Sequence, residues 1–174
     1  SYWKWAHSDL LCNRERGVLA EYIVAQAINY QEPRIEWDDY DLVTQNGLKI
    51  EVKSAAYIQT WHDSESTLSK IRFSIKPAKR LLDSQGNRTV NASILRPSDI
   101  YVFCLLATQD RNILNPLDLS QWDFYVLPTS ILNQQCPKQQ TIGLSSLLDL
   151  NPTYAKYDQL NSVICDFGSK TGSF

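Results

Sequence analysis

Tyr40-Asp41-Leu42-Val43-Thr44-Gln45-Asn46-Gly47-Leu48-Lys49-Ile50-Glu51-Val52-Lys53-Ser54 is the stretch on which the fold turns. Asn46-Gly47 stands between two β-prone runs, and both residues tolerate the positive φ of a type I′ turn, so the spacing predicts a hairpin. In its second strand Leu48, Ile50 and Val52 project to one face, while Lys49, Glu51 and Lys53 project to the other. One face suits a core and the other carries charge. The tight turn brings the strands side by side, which sets Asp41 next to Glu51, ten residues further on.

Upstream, a helix is expected from Asn13 to Tyr30, with Asn13 as N-cap and Glu15 at the positive end of the dipole. Val18, Leu19, Tyr22, Ile23, Ala25 and Ile28 recur at helical spacing and form its buried stripe. Gly17 shares a neighbouring face with Glu21, and a glycine inside a helix costs about 1 kcal/mol, so a close approach is expected there. The aromatic opening Tyr2-Trp3-Lys4-Trp5 is expected to pack onto the body, and Ile35 to Trp37 is a short apolar stretch.

Downstream, the pattern predicts a strand over Ile71 to Ile75, a short helix started by Pro77, and a polar loop from Ser84 to Pro97. Ile100 to Leu106 reads as a buried central strand and Phe124 to Leu127 as another, stopped by Pro128. Helices are expected at Thr129 to Asn133, Ser145 to Leu150 and Thr153 to Leu160, then a strand at Ser162 to Asp166. This order predicts an α/β fold with a mixed central sheet flanked by helices. With no repeat or linker, residues 1–174 read as a single domain, its core about 13–127 and a helical and extended addition about 128–174.

The chain has 174 residues, 43% hydrophobic and 21% charged, which excludes wholesale disorder. Its longest apolar run, Ile100 to Ala107, is eight residues, far short of the roughly 20 that span a bilayer. Cys12, Cys104, Cys136 and Cys165 are scattered and form no Cys-x-x-Cys pair. With no secretory leader in view they read as reduced thiols, so a cytoplasmic location is expected. The 17 Lys and Arg against 19 Asp and Glu give a net charge of -2, but the total hides a pattern. Residues 66–96 hold seven basic groups and only Asp83 as an acid. Near-neutrality therefore does not exclude nucleic acid; a phosphate backbone could be met locally in that segment, although a solvated charged loop fits it equally.

Two carboxylates and a backbone carbonyl converging at the hairpin would make a hard-oxygen site suited to Mg²⁺. A metal there polarises a phosphoryl oxygen and activates water, and Lys53 supplies positive charge for the transition state or orients the water. Glu51-Val52-Lys53 alone is better read as a solvated sheet face. The combination separates the readings: a helix carrying Glu21, then Asp41, the Asn-Gly hairpin, Glu51-x-Lys53, and Ser54-Ala55-Ala56.

In that combination, over Asn13 to Leu127, the sequence resembles the PD-(D/E)XK nuclease superfamily, the restriction-endonuclease-like fold. The resemblance implies an αβββαβ core in which Asp41 and Glu51 bind Mg²⁺, which Mn²⁺ can replace, with the Val52 carbonyl as a further ligand. It also implies that Lys53 acts on the attacking water and that Glu21 assists from the helix. Tyr40 stands where the family pattern has Pro. Some members carry a downstream Gln, which points to Gln59; a surface polar residue is the other reading. Arg72, Lys76, Lys79 and Arg80 are candidates for contacting phosphates. The implied activity is metal-dependent phosphodiester hydrolysis in DNA, with RNA left open, no membrane, and room for a homodimer. The alternative is a non-catalytic module that binds nucleic acid or protein on the same fold. Tyr57 and Trp61 could stack on bases, though sheet packing is the commoner use.

Other signals carry less. His7 and His62 are too few for a zinc site with scattered cysteines. Gly168-Ser169-Lys170-Thr171 lacks the upstream glycine of a phosphate loop, and Asp166-Phe167-Gly168 lacks the other parts of a kinase.

Overall fold

In the computed structural model, which describes residues 1–34, 39–60, 67–79 and 94–171, two helices open the chain, α1 (Tyr2–Ala6) and α2 (Asn13–Ala27). The expected N-cap shifts by one residue. Cys12 is the extended residue before α2, its carbonyl accepts the first helical bond from Arg16 N–H, and Asn13 is already helical. The helix stops short of Tyr30 because Asn29 takes φ 55°, and the N–H groups of Asn29 and Tyr30 turn back to Gln26 and Ala25 carbonyls. That is a Schellman ending, with Asn in the left-handed position. The buried line runs through Arg16, Ala20, Ile23 and Val24, not through Val18 and Tyr22. Apart from its own helix and chain neighbours, nothing described lies within 4 Å of a Cβ built on Gly17, so the expected close approach is absent there. In α1 the expected packing fails, since Trp5 is 83% exposed and Tyr2 is exposed too.

Two strands follow, β1 (Leu42–Val43) and β2 (Lys49–Ala56), antiparallel with Leu42 opposite Ile50. The turn differs in type from the expectation. Gly47 alone has positive φ, 86°, its N–H donates to Thr44 O at 2.9 Å, and Thr44 N–H donates to Leu48 O at 2.9 Å. Three residues therefore form the loop, a pattern in which a β-turn is closed by one left-handed glycine. The alternation in β2 stands as expected, with Ile50 and Val52 buried and Glu51 and Lys53 half-buried on the other face. Ile35 to Trp37 lies outside the described residues.

The remaining elements are β3 (Arg72–Ser74), β4 (Ala78–Lys79), β5 (Ile94–Leu95), β6 (Ile100–Leu106), β7 (Trp122–Pro128), α3 (Thr129–Gln135), β8 (Thr141–Gly143), α4 (Leu144–Asp149), β9 (Thr153–Ala155) and α5 (Tyr157–Thr171). The central sheet has the order β1-β2-β6-β7-β9, with β2 and β6 parallel and the other neighbours antiparallel. It is the expected mixed sheet flanked by helices. Every residue of β6 is buried, as its unbroken apolar run requires. Under one face lie Ile50, Val52, Val102, Phe124 and Val126, covered by α2 and by Leu160 and Ile164 of α5. The other face, with Ala55, Tyr101, Phe103 and Leu105, is covered by a β3–β8 ribbon and by Leu132 of α3 and Leu147 of α4.

Three local expectations are corrected. Pro77 starts no helix at the next two residues, which pair with β5 as β4; proline's fixed φ suits the start of an edge strand as well as a helix. Thr153 to Ala155 is a strand, because it closes the free edge of β7. Ser162 to Asp166 lies inside α5, where Leu160, Val163, Ile164 and Phe167 repeat at helical spacing against the sheet. Most of the expected polar loop from Ser84 to Pro97 lies outside the described residues.

The two helix and turn glycines lead to opposite outcomes. Gly47→Ala, forced into left-handed backbone, should lower stability by about 1–2 kcal/mol. Gly17→Ala, in open space, should raise it by up to about 1 kcal/mol. Urea unfolding of the two variants beside the wild type measures both; a loss at residue 17 would mean that its surroundings are occupied.

Candidate active site

Strand β1 is only two residues long, and that shortness builds the site. Past Leu42, no strand of the described residues lies beside the edge of β2. Asp41, the residue just before β1, fills the gap: its N–H donates to Ile50 O at 3.0 Å, and its Oδ2 accepts Val52 N–H at 2.7 Å. A strand residue turns its N–H and C=O to the same neighbour, so the Val52 carbonyl opens on the edge that Asp41 occupies. Lys53 Nζ lies 2.5 Å from Glu51 Oε1, with the two side chains 27% and 19% exposed. Opposite Glu51 in the parallel register stands Tyr101, and opposite Lys53 stands Phe103.

The electrostatics show these groups acting on one another. Burial pushes the Asp41 carboxyl up to about 7, and the neighbouring Glu51 charge pushes it the same way. The Val52 N–H and the Lys53 ammonium pull against that, and Glu21 adds a smaller upward push. The structure therefore brings Asp41, Glu51, Lys53 and Glu21 into one electrostatic cluster. Glu21 is also held by Arg34, whose Nε meets Oε2 and whose Nη2 donates to Oε1 at 3.2 Å. This pair lines a cleft of about 440 Å³ with Tyr22, Tyr30 and Leu42. Tyr101 is pushed up to about 12, first by burial and then by Glu51, and its hydroxyl is hydrogen-bonded to Ser98.

Among the described residues no three His, Cys, Asp or Glu side chains gather as a metal-binding group. The donors that could hold a divalent cation are two carboxylates, Asp41 and Glu51, with the Val52 carbonyl. All are hard oxygens, which suit an ion that keeps several waters. A cation placed between the two carboxylates would offset both the burial and the Glu51 repulsion that raise Asp41.

The other candidates scatter. Gln59 is turned inward and 7% exposed: its Nε2 donates to Ala56 O at 3.0 Å and its Oε1 accepts Arg16 Nη1 at 2.9 Å. It stands apart from the carboxylates and holds α2 to the end of β2. Arg72 and Lys76 are exposed on and just after β3. Lys79 is on β4, and Arg80, Trp61 and His62 lie outside the described residues. Tyr57 packs against the second core cluster, as sheet packing predicts. Sequence reasoning missed Arg34 and Tyr101. Arg34 has no spacing signal toward Glu21, and Tyr101 is hidden in an apolar run until the β2–β6 register is known.

The fold is thus a mixed sheet flanked by helices, with two carboxylates and a lysine gathered at its hairpin edge. Residues 4–146 match the family model of bacteriophage T4 endonuclease IV, and the chain belongs to that family. No curated protein matches the chain. The matched span includes the hairpin, the β3–β8 ribbon and β6; α5 lies beyond it.

The raised Asp41 carboxyl has a stability consequence. Unfolded, this group ionises near 3.8; folded, it holds its proton to about 7. Between these values the folded state binds more protons, so stability falls as pH rises through the window and the loss is complete above it. Asp41→Asn, which keeps an acceptor for Val52 N–H, should therefore be more stable than wild type by about 2 kcal/mol or more at pH 8 without divalent ions. Near pH 4 the two proteins should converge. Thermal melts across this range check it, and a gap that stays constant with pH would refute the assignment.

Proposed function

We propose that the chain is a metal-dependent DNA endonuclease of the restriction-endonuclease-like, PD-(D/E)XK type. The observation that carries this reading is the Asp41 carboxylate fixed on Val52 N–H at the open edge of β2, beside Glu51 and Lys53. Membership of an endonuclease family supports the same chemistry. Residues 128–174 belong to the same domain in this reading, since α5 supplies Leu160 and Ile164 to the core beneath the sheet.

Asp41, Glu51 and the Val52 carbonyl are the donors for Mg²⁺, with Mn²⁺ as a substitute. When bound, the ion polarises a phosphoryl oxygen and lowers the pKa of a water. The chain's own groups do the rest. Water oxygen adds to phosphorus as the ester P–O bond breaks, so negative charge grows on the phosphoryl oxygens. Lys53 puts an ammonium beside that charge, in a half-buried place where its field is less screened than in bulk water. Glu51, already in contact with Nζ, fixes where the ammonium sits. Glu21, anchored by Arg34, adds negative potential without leaving the helix face. Because a proton competes for Asp41, cation affinity should weaken below pH 7.

Glu51→Gln and Lys53→Ala should each lower Mg²⁺-dependent cleavage of a DNA substrate by roughly 100-fold or more while the thermal melt stays cooperative. Chelation should abolish wild-type cleavage. Wild-type rates in either variant would remove the site, and cleavage indifferent to chelator would remove the metal.

A further inference from the structure

The β3–β8 ribbon covers the sheet with one face and shows the other to solvent. Ile71, Phe73 and Ile75 point in and are buried, so residues 70, 72, 74 and 76 point out. Three of these four are cations: Lys70, Arg72 and Lys76. Successive outward positions on an extended chain are about 6.6 Å apart, so the row runs for about 20 Å. Across from Arg72 stands Gly143, whose missing side chain leaves the guanidinium uncovered. Thr141, Ser145 and Ser146 border Lys70 and Arg72 in a groove of about 650 Å³ with Tyr57 at one end. No acidic residue occurs in 67–79 or in 138–148. Among the described residues Lys70, Arg72 and Lys76 form no ion pair. In a chain of net charge -2, this is a local excess of positive charge bordered by hydroxyl donors.

Its placement relates it to the charged hairpin edge. At one end Ser69 N–H donates to Tyr57 O at 2.7 Å, and Tyr57 directly follows β2, four residues past Lys53 and on the order of 13 Å along the chain. At the other end Ile75 O accepts Arg96 Nε at 2.9 Å, and Arg96 acts electrostatically on Tyr101, the register partner of Glu51. The ribbon strand thus runs back along β2, from beyond Lys53 toward the level of Glu51.

We propose that the outer face of this ribbon is the track for the sugar–phosphate backbone of the DNA substrate, with Lys70, Arg72 and Lys76 neutralising successive phosphates and the Ser145 and Ser146 hydroxyls donating to them. The proposal rests on the nuclease reading above and adds where the strand lies on leaving the hairpin edge. A row of regularly spaced cations without base-reading groups holds any sequence, so the ribbon supplies affinity and register, and specificity is set elsewhere.

The test uses the full chain with Glu51→Gln, so that DNA is bound and not cut, and fluorescence anisotropy of a labelled DNA oligonucleotide over a salt series. Adding Lys70→Ala, Arg72→Ala and Lys76→Ala together should weaken binding at least tenfold at moderate salt. It should also flatten the slope of log K against log salt by about 2 to 3, since each duplex phosphate contact contributes about 0.9. Each single variant should flatten it by about one, which keeps the measurement readable if the triple variant melts. Lys70→Arg and Lys76→Arg should restore the slope. An unchanged slope in the triple and single variants, with the Glu51→Gln parent still binding DNA, overturns the track and leaves the nuclease reading standing. A parent that binds no DNA at any salt overturns both.

Discussion

The parallel ladder between β2 and β6 is the constraint on which the rest depends. Its seven register pairs, from Ile50 with Ile100 to Ala56 with Leu106, tie a strand with one charged face to a strand buried throughout. Because paired residues share a face, Glu51 and Lys53 must stand over the same side as Tyr101 and Phe103. A slip of one residue would turn both charges under α2, into the largely apolar layer beneath the sheet, at a cost in desolvation. Apolar pressure on β6 therefore fixes the hairpin charges in space, although neither Glu51 nor Lys53 contributes to the core.

Two buried guanidiniums join the layers around that ladder. Arg16, 3% exposed, donates to Leu11 O, Asn13 Oδ1 and Gln59 Oε1, and so pins the start of α2 to the end of β2. Arg96 donates to Ile75 O, Cys136 O, Gln139 O and Asn133 Oδ1, and so joins the ribbon to α3. Both use carbonyls and amides rather than carboxylates. Such bonds to a charged donor are stronger than neutral ones, and they do not lapse when acids protonate. These two joints between the layers do not themselves depend on the protonation of the acidic edge.

The hairpin was legible in the sequence because two periods coincide there, the alternation of Ile50, Val52 against Glu51, Lys53 and the Asn46-Gly47 turn signal. Strand β6 was legible from its unbroken apolar run. What could not be read was anything decided by pairing across long loops. Thr153 to Ala155 becomes strand only because β7 offers an edge, and Val163-Ile164 looks strand-like until Leu160 and Phe167 are counted with it at helical spacing. The Asn46-Gly47 turn by itself brings Asp41 toward Glu51, and the two carboxylates do act on one another. That Asp41 would be fastened to Val52 N–H depends on β1 ending at Leu42, and no residue pattern announces that. Gln59 shows the opposite case: its partner, Arg16, lies 43 residues away, so an interior amide reads as a surface one.

Gly168 in α5 lies against the hairpin loop, close enough that a built Cβ would sit 2.6 Å from Asn46 Nδ2. The loop that joins the two acid-bearing strands is therefore braced from the opposite end of the chain, by a helix outside the span that matches the family. A brace at the tip of a hairpin bears on both its arms, one leading back to Asp41 and the other on to Glu51. The last helix thus reaches the acid-bearing hairpin through its loop, far along the chain from the residues that carry the charge.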